Sequence, residues 1–196
     1  MEIEVKYKSE EGTDLFGHPL LAPFLGPQKE TTMSASYYDT SEGGCARAGF
    51  ALRLRREGQM PVCTAKGGDV QEGVARRVEI EEKADTLEKG VQALLNRDDL
   101  PENWREALHG PFQEKARMEF CRRSALFSQE GLVVEVCRDI GCIKAGGKEA
   151  PIDEWELELK EGTEDSFNVL RRALEKSLGW EGWETSKFAR AMELLA

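Results

Sequence analysis

Histidine is nearly missing from this chain of 196 residues: only His18 and His109 are present. A nucleophile activated by imidazole, in the manner of a Ser/His/Asp arrangement, therefore has almost nothing to draw on. Long hydrophobic runs are missing too. No stretch approaches the ~18 apolar residues of a membrane span, and the charged start is unlike an apolar leader, so the expected compartment is the cytoplasm. The five cysteines, Cys45, Cys63, Cys121, Cys137 and Cys142, lack C-x-x-C spacing and are odd in number, which reads as reduced thiols rather than a zinc site or a disulfide framework. Positive charge is in deficit, with 27 Lys and Arg against 37 Asp and Glu and a net charge of −10. That balance excludes an ordinary duplex nucleic-acid binder, which needs a positive surface. It leaves room for a basic cavity inside an acidic shell. Gly146-Gly147-Lys148 lacks the Gly-x-x-x-x-Gly-Lys-[Ser/Thr] frame of a P-loop and reads as a turn.

What is present is alternation. Residues 2–8 put Glu2, Glu4 and Lys6 on one strand face and Ile3 and Val5 on the other. Strands follow at 33–39, 50–56 and 60–66, the last two forming a hairpin around Glu57-Gly58-Gln59, and then at 75–82. Residues 84–111 switch to a helical period through Leu87, Val91, Leu94 and Leu95, interrupted by Pro101 and Pro111. Strands return at 117–127, 132–137, 140–145 and 154–160, with Glu135 and Asp139 flanking a turn toward Ile140-Gly141. A helix at 164–178, closed by Gly179, and a last one from Ser186 complete the chain. About eight antiparallel strands with a few helices and no internal repeat predict one α+β domain over 1–196, a closed antiparallel barrel with helices packed outside and C-terminal helices from about 164.

The polar faces share one design. Arg53 and Arg55 oppose Leu52 and Leu54; Arg77, Glu79 and Glu81 oppose Val78 and Ile80; Glu154, Glu156, Glu158 and Lys160 oppose Trp155, Leu157 and Leu159. Lys66 shares a face with Thr64, and Arg117 and Arg123 share a parity. Any one such strand is explained by an ordinary wet face. Together they are unusual, because these positions are mostly Glu and Arg, and the Arg-x-Arg pairs suit bidentate grip on phosphate. Closing the sheet would bring Glu2/Glu4 and Glu154/Glu156/Glu158 together from opposite ends of the chain. The expected interior holds carboxylates for a metal and guanidinium groups for phosphates. Trp155 falls on the apolar side as packing, and Trp180 and Trp183 read as a hydrophobic clasp near the last helix.

These segments, taken in order, resemble the CYTH superfamily, the triphosphate tunnel metalloenzymes. Glu2-x-Glu4-x-Lys6 is similar to its N-terminal signature, Tyr37-Tyr38-Asp39-Thr40 to its Y-[YF]-D-T turn, and Leu52-Arg53-Leu54-Arg55 to its L-R-[IL]-R strand. Thr64-Ala65-Lys66-Gly67, Arg77-x-Glu79, Glu135-x-x-x-Asp139-x-Gly141, Glu154-x-Glu156-Leu157-Glu158 and Ser186-Lys187 follow in family order. The resemblance implies Mg²⁺ or Mn²⁺ on Glu2, Glu4, Glu154, Glu156 and Glu158, with Glu135 and Asp139 completing a second metal site. It implies a triphosphate gripped by Lys6, Arg53, Arg55, Lys66, Arg77, Arg117, Arg123 and Lys187. Lys6, Glu79 and Asp139 are the candidate catalytic groups; which of the adjacent Arg122 and Arg123 points inward is open. The implied reaction is hydrolysis of a small-molecule triphosphate, inorganic tripolyphosphate first, with thiamine triphosphate, cyclisation of ATP, or binding without turnover as alternatives. The implied protein is a monomer or homodimer with no nucleic-acid or membrane partner.

Overall fold

The computed structural model describes residues 1–57 and 60–196; the expected turn at Glu57-Gly58-Gln59 lies, at Gly58 and Gln59, outside the described residues. Eight strands occur among those described: β1 (Glu2–Lys8), β2 (Lys29–Thr40), β3 (Phe50–Glu57), β4 (Met60–Gln71), β5 (Val74–Lys83), β6 (Phe112–Gln129), β7 (Leu132–Ala145) and β8 (Lys148–Glu161). All neighbours are antiparallel, and the sheet closes in the order β1-β5-β4-β3-β2-β6-β7-β8. With eight strands, such a barrel is wide enough for inward side chains to line a small-molecule site. Among the described residues five α-helices accompany it: α1 (Gly44–Arg47), α2 (Leu87–Leu95), α3 (Glu102–Ala107), α4 (Glu164–Leu178) and α5 (Lys187–Leu195).

The alternation seen in the sequence sorts side chains between the barrel's inside and outside. Outward-facing Val5, Tyr7, Val134, Val136, Trp155 and Leu157 are buried beneath Phe167 and Leu174 of α4. Each large side chain so covered contributes roughly 1.5–3 kcal/mol of apolar burial. Thr163 caps α4 by accepting from the Ser166 N–H, and Gly179 ends it at φ +72°, a left-handed conformation that glycine adopts without a Cβ penalty. Leu52, Ala65 and Ile80 pack in the same way under Val91, Leu94 and Trp104, with Phe50 stacked on Trp104 at 4.8 Å. α5 differs from the other helices. Its Phe188, Ala191 and Met192 pack against Tyr37, Met118, Ile143 and Ile152, which face the barrel interior, so α5 closes one end. Ser186 caps it through the Ala189 N–H.

Three local expectations change. Residues 132–145 form one strand rather than two, with Asp139 paired to Arg122 on β6 and Glu154 on β8, so no turn follows Asp139. Gly141 suits this continuity, because a Cβ there would strike the backbone of β6. Asp39 opens a short helix rather than a simple turn: its Oδ1 accepts from the Thr40 and Cys45 N–H groups at 2.7 and 2.8 Å, and its Oδ2 from Ala46 at 3.1 Å. Two 3-10 turns, Leu15–Gly17 and Ala22–Phe24, fill a stretch the sequence left unassigned.

Candidate active site

The barrel encloses a cavity of about 610 Å³. Part of its wall is the seam where the first and last strands meet. There Glu4 lies opposite Glu158, Lys6 opposite Glu156 and Lys8 opposite Glu154. Inward positions on one strand thus face inward positions on the other, and the two acidic segments from the chain's ends come together. Nine carboxylate and eight cationic side chains line the cavity among the described residues.

The charges interlock. Lys6 Nζ lies 3.3 Å from Glu4 Oε1 and 3.5 Å from Glu156 Oε1, and Arg77 donates to Glu4. Lys66 pairs with Glu2 and, at 3.3 Å, with Glu79. Arg53 donates to Glu79 at 3.0 Å and to Thr64 at 3.4 Å, while Arg55 meets Glu81 at 3.2 Å. Toward the strand-end opposite α5, Lys160 bridges Glu135 at 3.2 Å and Glu158 at 2.7 Å. Two residues apart on β1, two carboxyls are driven in opposite directions. Burial and then the neighbouring Glu4 push Glu2 up to about 7, with Lys66 opposing. Burial would also raise Glu4, but Lys6, Lys66 and Arg77 outweigh it and hold that carboxyl down at about 2.

At the α5 end, carboxylate oxygens of Asp139, Glu154 and Glu156 lie within 4.8 Å of one another. Lys187 from α5 reaches all three, at 2.7 Å from Asp139, 2.8 Å from Glu156 and in contact with Glu154. Arg122 grips Asp139 with two parallel bonds, Nε at 2.8 Å and Nη2 at 2.7 Å, and also donates to Glu156. Arg190 takes the second oxygen of Glu154. Burial opposes charge on Glu156, but Lys187, Arg122 and Lys6 hold its carboxyl well below the usual range.

A CYTH domain model matches residues 1–192. The chain belongs to the CYTH domain family. No curated protein matches it. Several solved structures share the fold. HpAC1 of Hippeastrum, described as a candidate adenylyl cyclase that reveals a dominant triphosphatase activity, aligns with TM-score 0.62 at 23% identity over 98% of this chain and 96% of its own. The PH1819 protein of Pyrococcus horikoshii gives 0.59 at 15% identity over 98% and 99% of the two chains. A candidate adenylate cyclase from Bacillus halodurans gives 0.55 at 18% identity over 95% and 94%. At such identities the likeness carries the fold alone.

Within this CYTH barrel, Glu2, Glu4, Lys6, Arg53, Arg55, Lys66, Arg77, Glu79, Glu135, Glu156, Glu158 and Lys187 all line the cavity. Four expected residues do not. Arg117 points outward, with its side chain 54% exposed and bound to Glu114. Arg123 also faces out, 40% exposed, paired with Asp14 and lying over the Phe16 ring. β6 alternates so that Phe120, Arg122 and Ser124 face in; Arg122 is therefore the inward arginine. The pattern hid this because β6 is apolar on both faces: Ala116 and Met118 meet the α5 cluster inside, and Ala125 and Phe127 join the outer cluster under α4. Asp139 and Glu154 point inward but are fully buried beside the cavity rather than lining it. The sequence reading also left Glu81 and Lys160 out of the site, although their strand parity placed both inward.

The carboxylates that face the cavity, Glu2, Glu4, Glu156 and Glu158, supply only hard oxygen donors, the kind Mg²⁺ and Mn²⁺ prefer. At the α5 end a divalent ion could use the acidic trio only by displacing the Lys187 ammonium or a guanidinium.

Among the described residues no helix is long and apolar enough to cross a membrane.

Proposed function

We propose that this CYTH protein hydrolyses a short triphosphate, inorganic tripolyphosphate first, to diphosphate and phosphate. One observation carries the reading: a closed barrel whose interior interleaves carboxylates with arginines and lysines along the β1–β8 seam. A simple anion receptor would gain nothing from so many buried carboxylates, which repel a phosphate chain unless a cation lies between. Family membership and the dominant triphosphatase activity described for HpAC1 point the same way.

Arg53, Arg55, Lys66, Arg77, Arg122 and Lys187 would hold the phosphoryl oxygens, with the arginines able to bind two oxygens at once. Glu79 sits between Arg53 and Lys66 and fixes both. Lys6, held between Glu4 and Glu156, would keep positive charge at the seam. A divalent ion on Glu2, Glu4, Glu156 and Glu158 would supply Lewis acidity and an activated water. In the reaction, a water oxygen forms the new bond to the terminal phosphorus and the bridging P–O bond breaks toward diphosphate. The fixed cations neutralise the charge that develops on the leaving oxygens.

The test is phosphate release by the purified protein with Mg²⁺ or Mn²⁺ from tripolyphosphate, thiamine triphosphate and ATP, each with an EDTA control. Metal-dependent release that is fastest from tripolyphosphate is the expected result. Preference for thiamine triphosphate, or a cyclic product from ATP, would replace the substrate assigned here. Binding with no turnover on any of them would make the barrel a receptor.

A further inference from the structure

Arg190 is absent from every motif discussed above, yet it is the residue on which the α5 end closes. It lies three residues after Lys187, on the same face of the helix. The two side chains divide one buried carboxylate: Lys187 takes Glu154 Oε1 and Arg190 takes Glu154 Oε2. Glu154 is fully buried, so either oxygen left alone would be an unsatisfied acceptor without water. Arg190 also donates to the Pro151 carbonyl at 3.2 Å, still on β8. Its guanidinium lies 4.5 Å from the Trp183 ring, which also receives Lys8 Nζ at 4.9 Å. The Trp183 N–H donates to the Lys6 carbonyl at 2.7 Å. Arg190 is thus tied to β8 directly and to β1 through Trp183, the two strands whose seam carries the cavity's charges.

We propose that Arg190 is a positioning residue: with Glu154 it fixes the Lys187 ammonium at the cavity wall, so that α5 is a working part of the triphosphate site. The proposal rests on the triphosphate reading. Arg190 does not itself line the cavity, so its influence on a ligand runs through Lys187. The charge balance explains the need for it. Asp139, Glu154 and Glu156 are matched by Lys187, Arg122 and Arg190, with Lys6 also on Glu156. Removing Arg190 leaves Glu154 to draw the flexible lysine head away from Glu156 and the cavity, because a single ammonium must then satisfy both Glu154 oxygens.

The experiment compares wild type, Arg190→Lys and Arg190→Ala by three readouts: thermal melting, calorimetric binding of tripolyphosphate in EDTA, and the ¹⁵N-detected Lys187 ammonium resonance, assigned by its loss in Lys187→Arg. The expected result is a displaced or broadened Lys187 signal in Arg190→Ala, with tripolyphosphate bound on the order of ten-fold more weakly, as loss of one well-placed charge-assisted contact implies. Arg190→Lys should recover most of both, which mere destabilisation of the helix would not predict. If Arg190→Ala does not fold, Arg190→Gln, which also removes the charge, takes its place: a displaced Lys187 signal and weakened binding in it decide for the proposal, and wild-type values in it decide against. An unmoved Lys187 signal with wild-type affinity in Arg190→Ala would overturn the assignment. If the wild type binds no tripolyphosphate, the triphosphate reading fails first, and the anchoring of Lys187 is judged on its resonance alone.

Discussion

The two ends of the barrel use the same residue types for different purposes. At the α5 end, Asp139 and Glu154 are fully buried, and each of their oxygens meets a lysine or an arginine. Toward the other end, Glu2, Glu79, Glu158 and Glu81 keep 12%, 18%, 22% and 39% of their side-chain surface and share their cations pairwise. A charge that loses its partner in the first region has nothing to replace it. In the second, water or an incoming ion can. The first region is therefore a closed set of ion pairs that holds Lys187 and Arg122 in place, and the second is open enough for the proposed ligand to compete for its charges.

The sharpest way to break this comparison is to remove one ammonium from each end. Lys187→Met takes away the ammonium that three buried carboxylates share and should cost about 3–5 kcal/mol in urea unfolding. Lys66→Met leaves Glu2 and Glu79 partly wet and should cost less than half of that. Equal losses would erase the distinction.

Next in size is a pH effect on β1. In metal-free protein, the Glu2 carboxyl is raised from an ordinary 4.5 to about 7, so the folded state favours its protonated form. Its ionisation then costs stability, and the cost develops between pH 4.5 and 7 and is complete above 7. Glu2→Gln removes it, so this variant in EDTA should be more stable than wild type at pH 8, by up to about 3 kcal/mol. Below pH 4.5 the gain should vanish. Glu4, held at about 2, has the opposite sign: its stabilisation is present above pH 4.5 and fades as pH falls toward 2. A gain for Glu2→Gln that persists at pH 4 would mean that the substitution acts through packing rather than charge.

Third is Arg53→Ala. Arg53 lies on β3 between Glu79 and Thr64, where removal should cost less stability than Lys187→Met, because Glu79 keeps Lys66 and Glu81 keeps Arg55. Tripolyphosphate affinity measured by calorimetry should fall roughly ten- to hundred-fold. Unchanged affinity would remove the β3 arginines from the proposed grip.

Much of this was legible beforehand because the stretches 2–6, 52–55, 77–81 and 154–160 of β1, β3, β5 and β8 obey strict period-two alternation and are charged on only one face. Glu2/Glu4/Lys6, Arg53/Arg55 and Glu156/Glu158 could be placed inside from parity alone. Three things were not legible. β6 is apolar on both faces, so parity gives no direction there: the resemblance puts Arg123 in the grip, and which of Arg122 and Arg123 points inward stays open in the sequence. Burial depth cannot be read from alternation, so the sequence does not show that Asp139 and Glu154 are fully buried and paired with Arg122, Lys187 and Arg190. The docking of α5 depends on which end of the barrel is apolar inside. That is a property of Met118, Ile143 and Ile152 together, and no single segment shows it.

The smallest predicted effects test the direction of β6. Arg117 and Arg123 belong to the exposed surface, in pairs with Glu114 and Asp14 that are worth at most about 0.5–1 kcal/mol. Arg117→Ala and Arg123→Ala should therefore bind tripolyphosphate as wild type does and melt within a few degrees of it. Arg122→Ala, one residue away, strips the two-bond grip from Asp139 and should both lower the melting temperature and weaken binding. The contrast between two adjacent arginines isolates orientation from composition, because both substitutions remove the same charge from the same strand. If Arg123→Ala weakens binding and Arg122→Ala does not, β6 is turned over relative to the arrangement described, and the seam-based placement of every inward residue on that strand falls with it.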